Sequence, residues 1–285
     1  MEFLKIKVAL GLSIIMMTSC QSKQQNEMSE SENNSEMEVG AYIPAKDTVV
    51  LIHAAWLGAW EWEAVSKKLE EKGLVVISPD LPGHGQDKTQ AKDISMELYV
   101  QTVLNILDKQ TKPVVLVGHS FNGITISRVA ELRPGKVKKL VYVTAFLLPN
   151  GMSFLDAVSN VQGSVAVDNF YLSEDKQTAL VKSDEIQNAF AQDVPKKDFE
   201  AAMPNIVPEP AGPLGYKLEV SEENYGRIPK YYIECTKDNA IPIESQRAMY
   251  TGKVKRVYTL ASGHTPNFSH PDELAQAIVE IEAEE

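Results

Sequence analysis

The stretch "VVLVGHSFNGITIS", residues 114–127, changes character at Ser120. Before it runs a β-branched apolar segment of the kind buried in a parallel sheet. After it, apolar residues fall at helical spacing. A serine on a sharp turn between strand and helix is where the pattern G-x-S-x-G places a nucleophile. Gly118, His119, Ser120 and Phe121 fit that pattern, but Asn122 stands where the second glycine belongs, and Gly123 comes one residue late. Alone, the segment reads as a working elbow, a damaged one, or a chance Gly-x-Ser in a loop.

Outward from this stretch the chain alternates in type. "TVVLIHAAW" (48–56), "LVVISPDLPGHG" (74–85), "KPVVLVGHS" (112–120), "VKKLVYVTAFL" (137–147), "PKYYIECTKD" (229–238) and "KVKRVYTLASGH" (253–264) read as strands. Between and after them, 58–73, 94–110, 121–135, 243–250 and 271–285 carry helical spacing, with Gly73 as a stop and Pro271 as a start. This order predicts an α/β domain over 47–285, with a mostly parallel sheet of about six strands covered by helices on both faces. The rhythm breaks at about 149–228. That stretch shows no clear buried strand, and its "VPEPAGPLGY" (207–216) excludes regular helix or central strand. A stretch of this length is expected to be an inserted cap.

Active groups of such a sheet lie at the carboxyl ends of the strands. Those positions hold His53, Ala54, Ala55 and Trp56, then Asp80, Ser120, Asp238 and His264. Serine needs a base to take its proton as it attacks, and a histidine held by an aspartate supplies one. The chain order Ser120, Asp238, His264 suits that chemistry. Each residue also has a plainer reading: a loop serine, a helix cap for the segment after Ile241, a hydrogen-bonded loop histidine. Three partners at three strand ends favour the joint assignment. Phe121, at a helix start, offers a backbone N–H to a developing oxyanion, and a second donor is expected at Ala55. Asp80 is assigned a structural role, His53 and His84 loop hydrogen bonds, His119 packing, and Cys235 a buried place in its strand. Trp56, Trp60 and Phe121, with Phe154, Leu155 and Tyr216 from the cap, are expected to bound an apolar pocket.

The bulk numbers exclude other classes. With 285 residues, 44% hydrophobic and 24% charged, the chain can build one large core. A net charge of −11 opposes binding to nucleic acid or to an anionic membrane surface. Two cysteines make neither a disulfide framework nor a zinc site. No glycine-rich phosphate loop is present, so neither metal nor nucleotide cofactor is expected. At the N-terminus, Lys5 and Lys7 precede the apolar run "VALGLSIIMM" (8–17), too short to span a bilayer but suited to a signal peptide over 1–19. Thr18 and Ser19 before Cys20 resemble the cleavage box of bacterial lipoproteins, although Met17 is an unusual start to it. The alternative is an ordinary signal peptide with an incidental cysteine. The resemblance implies lipidation at Cys20, a tether over 20–46 with little to bury, and an envelope protein that meets the membrane only through that anchor.

"LIHAAWLGAWEWEAV", "VVLVGHSFNG", "LVYVTAFLLPNG", "CTKDNAIP" and "SGHTPNFSHPDELA" together resemble the α/β-hydrolase branch of plant methyl-ester esterases, hydroxynitrile lyases and bacterial esterases. The resemblance covers about 48–281, with the cap least alike. It implies an α/β-hydrolase fold, a triad of Ser120, Asp238 and His264, an oxyanion hole at the Ala55 and Phe121 amides, and a small-molecule ester as substrate. Two residues depart from it. Ala54 replaces the usual glycine after the first-strand histidine, and Asn122 replaces the elbow glycine. The lyases carry lysine directly after the catalytic histidine; here Thr265 stands there, which disfavours cyanide as a leaving group. A non-catalytic small-molecule binding lipoprotein and an adhesin scaffold are the remaining alternatives.

Overall fold

A computed structural model of the chain describes residues 47–159 and 161–285. The expected signal segment, Cys20 and the tether lie outside the described residues. Six parallel strands form the main sheet: β1 (Thr48–Ile52), β2 (Val75–Ile77), β3 (Val114–His119), β4 (Val137–Val143), and, after a long insert, two more. The insert holds β5 (Phe170–Leu172), β6 (Thr178–Val181) and β7 (Glu209–Pro210), so the last two sheet strands are β8 (Lys230–Cys235) and β9 (Arg256–Leu260). The spatial order is β2-β1-β3-β4-β8-β9. The chain winds outward from β1 to β2, then crosses back to β3 and continues the other way. The carboxyl ends of β1 and β3 therefore flank a topological switch, the place where such sheets leave a crevice.

Alternation along the strands splits the core in two. Val50, Ile52, Leu116, Leu140, Tyr142 and Tyr232 face one side, against Val100, Val103 and Leu104 of α2 (Met96–Leu107) and Ile124 and Val129 of α3 (Gly123–Leu132). Val49, Leu51, Val115, Val117, Val141 and Ile233 face the other, against Val65 and Leu69 of α1 (Glu63–Glu71) and the C-terminal helix (Pro271–Ala283) through Leu274, Ile278 and Ile281. Ser95 caps α2 by accepting from the Leu98 N–H, which is why that helix starts where it does.

Two expectations need correction. The segment 74–85 is not a fully buried strand. It pairs for only three residues at the sheet edge, with Val75 40% exposed, because one of its flanks has no neighbour. The insert does contain strands: β5, β6 and β7 form an antiparallel sheet in which Ala179, Val181 and Glu209 are buried. They are short, and Pro210 sits at the last position of an edge strand, where its missing N–H removes nothing from the ladder. The insert also carries four short helices, α4 (Phe154–Val158), α5 (Val165–Asp168), α6 (Ile186–Phe190) and α7 (Lys196–Ala202). Beyond it, α8 (Ile243–Tyr250), α9 (Pro266–Ser269) and α10, the C-terminal helix, complete the order.

Candidate active site

Ser120 stands on the turn between β3 and α3 with φ of +55°, a backbone region that side chains seldom adopt. The chain must double back tightly to hold it there. At Gly118 a Cβ would lie 2.9 Å from the Asn122 carbonyl oxygen, and at Gly123 one would lie 2.5 Å from the Phe146 carbonyl oxygen. The late glycine is therefore the one the elbow needs, since α3 begins in contact with the backbone that follows β4. Asn122 occupies a different space. Its amide donates to the His53 carbonyl at 2.6 Å and accepts from the Thr125 hydroxyl at 2.6 Å, tying the elbow to the end of β1.

Three strand-end residues meet. His264 Nε2 lies 2.9 Å from Ser120 Oγ, and Nδ1 lies 2.7 Å from Asp238 Oδ2. A carboxylate only accepts, so the ring proton sits on Nδ1 and Nε2 is free to accept from the serine hydroxyl. Thr144 Oγ1 also donates to Asp238 Oδ2. The other carboxylate oxygen accepts from the Ala240 and Ile241 amides at 2.7 and 2.8 Å. Asp238 thus closes the turn before α8 with one oxygen and partners His264 with the other; it is not the helix cap that one reading expected, since α8 starts only at Ile243, behind Pro242. All three residues are buried, and Ser120 is only 5% exposed.

Ala55 lines the cavity beside Ser120, and neither its N–H nor that of Phe121 meets an acceptor among the described residues. The surrounding histidines are fixed by their partners. His53 donates from Nδ1 to the Ala54 carbonyl and accepts the Leu81 N–H at Nε2, so it is neutral. Burial, reinforced by nearby His84, holds its pKa well below the ordinary value. His84 faces acceptors with both nitrogens, the Pro82 carbonyl and Glu209, and so does His119, toward Glu61 and the His264 carbonyl. Both rings are thus disposed to carry a proton on each nitrogen. Burial works to lower the pKa of each, but the charge and hydrogen bond of its glutamate outweigh burial and raise it. Asp80 accepts from the Ala59 and Gln86 amides, a structural role.

Two apolar chambers open on Ser120 and His264. The larger, about 230 Å³, is walled by Trp60, Ile186, Phe190, Val194, Phe199 and Phe268. The smaller, about 50 Å³, is walled by Phe146, Phe154, Val158, Val167, Phe170 and Ile241. Trp56 and Phe190 border both. Trp56, Trp60 and Phe154 thus lie where expected. Three others do not. The Phe121 ring is buried in the core against Phe154 rather than lining a chamber. Leu155, on the outer side of α4, is 44% exposed. Tyr216 packs half-buried on the core, away from both chambers. Ile186, Phe190 and Val194 wall the larger chamber although the sequence reading does not single them out; their four-residue spacing in the insert is the signal that marks one apolar face. The insert also holds the loops below it: Thr265 Oγ1 donates to the Phe190 carbonyl, Val165 N–H to the Asn239 carbonyl, and the Gly263 N–H to Asp193.

The family model described as "Alpha/beta hydrolase family" matches residues 49–277. A putative chloroplastic methylesterase of Arabidopsis thaliana, methylesterase 11, is 34% identical over 245 residues, covering 81% of this chain and 63% of that protein. A pyrethroid hydrolase of Sphingobium wenxiniae is 31% identical over 244 residues, covering 82% of this chain and 86% of that protein. The crystal structure of a pyrethroid hydrolase from Sphingobium faniae JZ-2 superposes with a TM-score of 0.73 at 28% identity, over 82% of this chain and 96% of that one. The chain spans less than two thirds of the length of the first curated relatives it matches. Strand order, the strained serine turn and a match running from β1 into the last helix agree: the chain belongs to the alpha/beta hydrolase family.

Proposed function

We propose that the protein is a carboxylic ester hydrolase working through an acyl-enzyme. The observation that carries this reading is the unbroken chain Asp238–His264–Ser120 at the junction of two apolar chambers. Ser120 Oγ attacks the ester carbonyl while His264 Nε2 takes its proton, and Asp238 supports the imidazolium. The Ala55 and Phe121 amides receive the oxyanion, an interaction worth about 10²–10³ in rate per donor. Collapse expels the alcohol, protonated by His264. Water activated by the same ring then attacks the acyl carbon and frees Ser120.

The chambers favour a neutral ester with one bulky apolar group and one small one. No lysine or arginine borders either chamber among the described residues, and Asp198 on the larger one disfavours an anionic substrate. The relatives' names, methylesterase and pyrethroid hydrolase, fit an ester substrate. A lyase that expels cyanide gains no support, since Thr265 is bound to the Phe190 carbonyl and offers no charge. A fluorophosphonate probe should label the wild type and leave Ser120→Ala unlabelled, with kcat on p-nitrophenyl esters lowered by about 10⁶ in the variant. Folded wild-type protein that neither labels nor hydrolyses any ester of a graded series would sink the reading.

A further inference from the structure

The amides on either side of Ala55 are both held by buried glutamates. The Ala54 N–H donates to Glu61 Oε1 at 3.1 Å, and the Trp56 N–H to Glu209 Oε2 at 2.9 Å. Glu61 comes from the turn before α1, Glu209 from β7 of the insert, and both are essentially inaccessible. Each glutamate is in turn held by a histidine ring: Glu61 by His119, and Glu209 by His84 at 2.8 Å. Tyr99 adds a hydroxyl to Glu209 at 3.1 Å. Trp56 itself is strained, with φ of +63°. Besides Glu209, it is held by its indole N–H on the Ala179 carbonyl and by its own carbonyl on the Val207 N–H, both at 2.9 Å.

We propose that Glu61 and Glu209 are positioning residues that grip the Ala54–Ala55–Trp56 segment from both sides and so aim the Ala55 N–H at the reacting carbonyl oxygen. The proposal rests on the ester-hydrolysis reading. Its physical basis is that each carboxylate takes up one neighbouring amide, which leaves Ala55 as the free donor of the three. A left-handed non-glycine residue persists only when its surroundings over-determine it, and the bonds on Trp56 do so. The facing histidines matter for a second reason. A bare carboxylate beside an oxyanion site would oppose the charge that forms there, whereas a carboxylate paired with imidazolium leaves the local charge near zero. The insert thereby completes the oxyanion site, because Glu209 belongs to it.

The test uses the full chain. Glu209→Ala is expected to lower kcat about ten- to a hundredfold with KM within about threefold, because the loss falls on the transition state. Glu209→Gln, whose carbonyl oxygen can still accept the Trp56 N–H, should remain within about tenfold of wild type. Should Glu209→Ala fail to fold, Glu209→Asp keeps the charge, draws the acceptor back by one methylene and should still lower kcat about tenfold. Glu61→Ala should act in the same direction through Ala54. A trifluoromethyl ketone, which forms an oxyanion on Ser120, should weaken in step with kcat, while the unreactive methyl ketone binds as before. Crystal structures should show Trp56 leaving its left-handed conformation in the Ala or Asp variant, with the Ser120–His264–Asp238 distances kept. A folded Ala or Asp variant with kcat within about twofold of wild type and Trp56 unmoved overturns the proposal. A wild type without esterase activity, in which Trp56 nevertheless moves on substitution, counts against ester hydrolysis and upholds the grip.

Discussion

Asn122 is buried, and its amide spans from the first turn after Ser120 to the His53 carbonyl. Removing one partner of a buried hydrogen bond strands the other, at a cost of about 1–3 kcal/mol. Asn122→Ala should lower the unfolding free energy by about that amount, read from urea denaturation. Labelling of Ser120 by a fluorophosphonate should slow by less than about tenfold, because Asn122 touches none of the side chains of Ser120, Asp238 and His264. An unchanged unfolding midpoint would show that the bond to His53 carries no weight. The departure from the elbow pattern is thus a brace between two strand ends, and Gly123 supplies the close approach that the pattern's glycine usually marks.

At the scale of elements, α6 decides how the cavity is divided. Phe190 ends that helix, borders both chambers, and packs its ring, tilted, against Trp56 and His264 with ring centroids 5.3 and 5.6 Å away. Phe190→Ala should merge the chambers. The lost apolar contact, about 1.5–3 kcal/mol, should lower kcat/KM for short esters at least tenfold and favour branched, bulky ones by comparison. A selectivity ratio that does not move would mean another residue separates the two sides. The central strands β1, β3, β4 and β8 were legible because buried parallel strands are long apolar runs that need no context, while β2 and β9, at the sheet edges, show only in part. Ser120, Asp238 and His264 were legible because each follows a strand. The insert resisted reading because its strands are two to four residues long, and its lining residues are spread over four short helices, two strands and the turns between them. Residue type alone placed Leu155 and Tyr216 at the substrate, although neither faces it. Glu61 and Glu209 gave no signal, since a glutamate's partner is fixed only by folding.

Across the whole molecule, buried ionisable pairs link stability to pH. His84 has its pKa raised in the folded protein above the value of about 6.5 in an unfolded chain. Its contribution is present in full below about pH 6.5 and is lost as pH rises through the folded value. His119 acts in the same direction, and His53, whose pKa is lowered, acts oppositely. His84→Gln leaves His119 in place and only eases His53, whose pKa burial still holds down. The stability difference between wild type and this variant should therefore shrink as pH climbs from 6 toward 9, followed by urea midpoints; parallel curves would exclude the linkage. The insert's ties to the loops of Asp238 and His264 carry a consequence for engineering. Substrate range in such folds invites exchange of the insert as a module. Here a transplanted insert would also have to bring an acceptor for Thr265, a donor for the Asn239 carbonyl and a carboxylate for the Gly263 amide. Without them, the graft would reshape the chambers and shift His264 relative to Ser120.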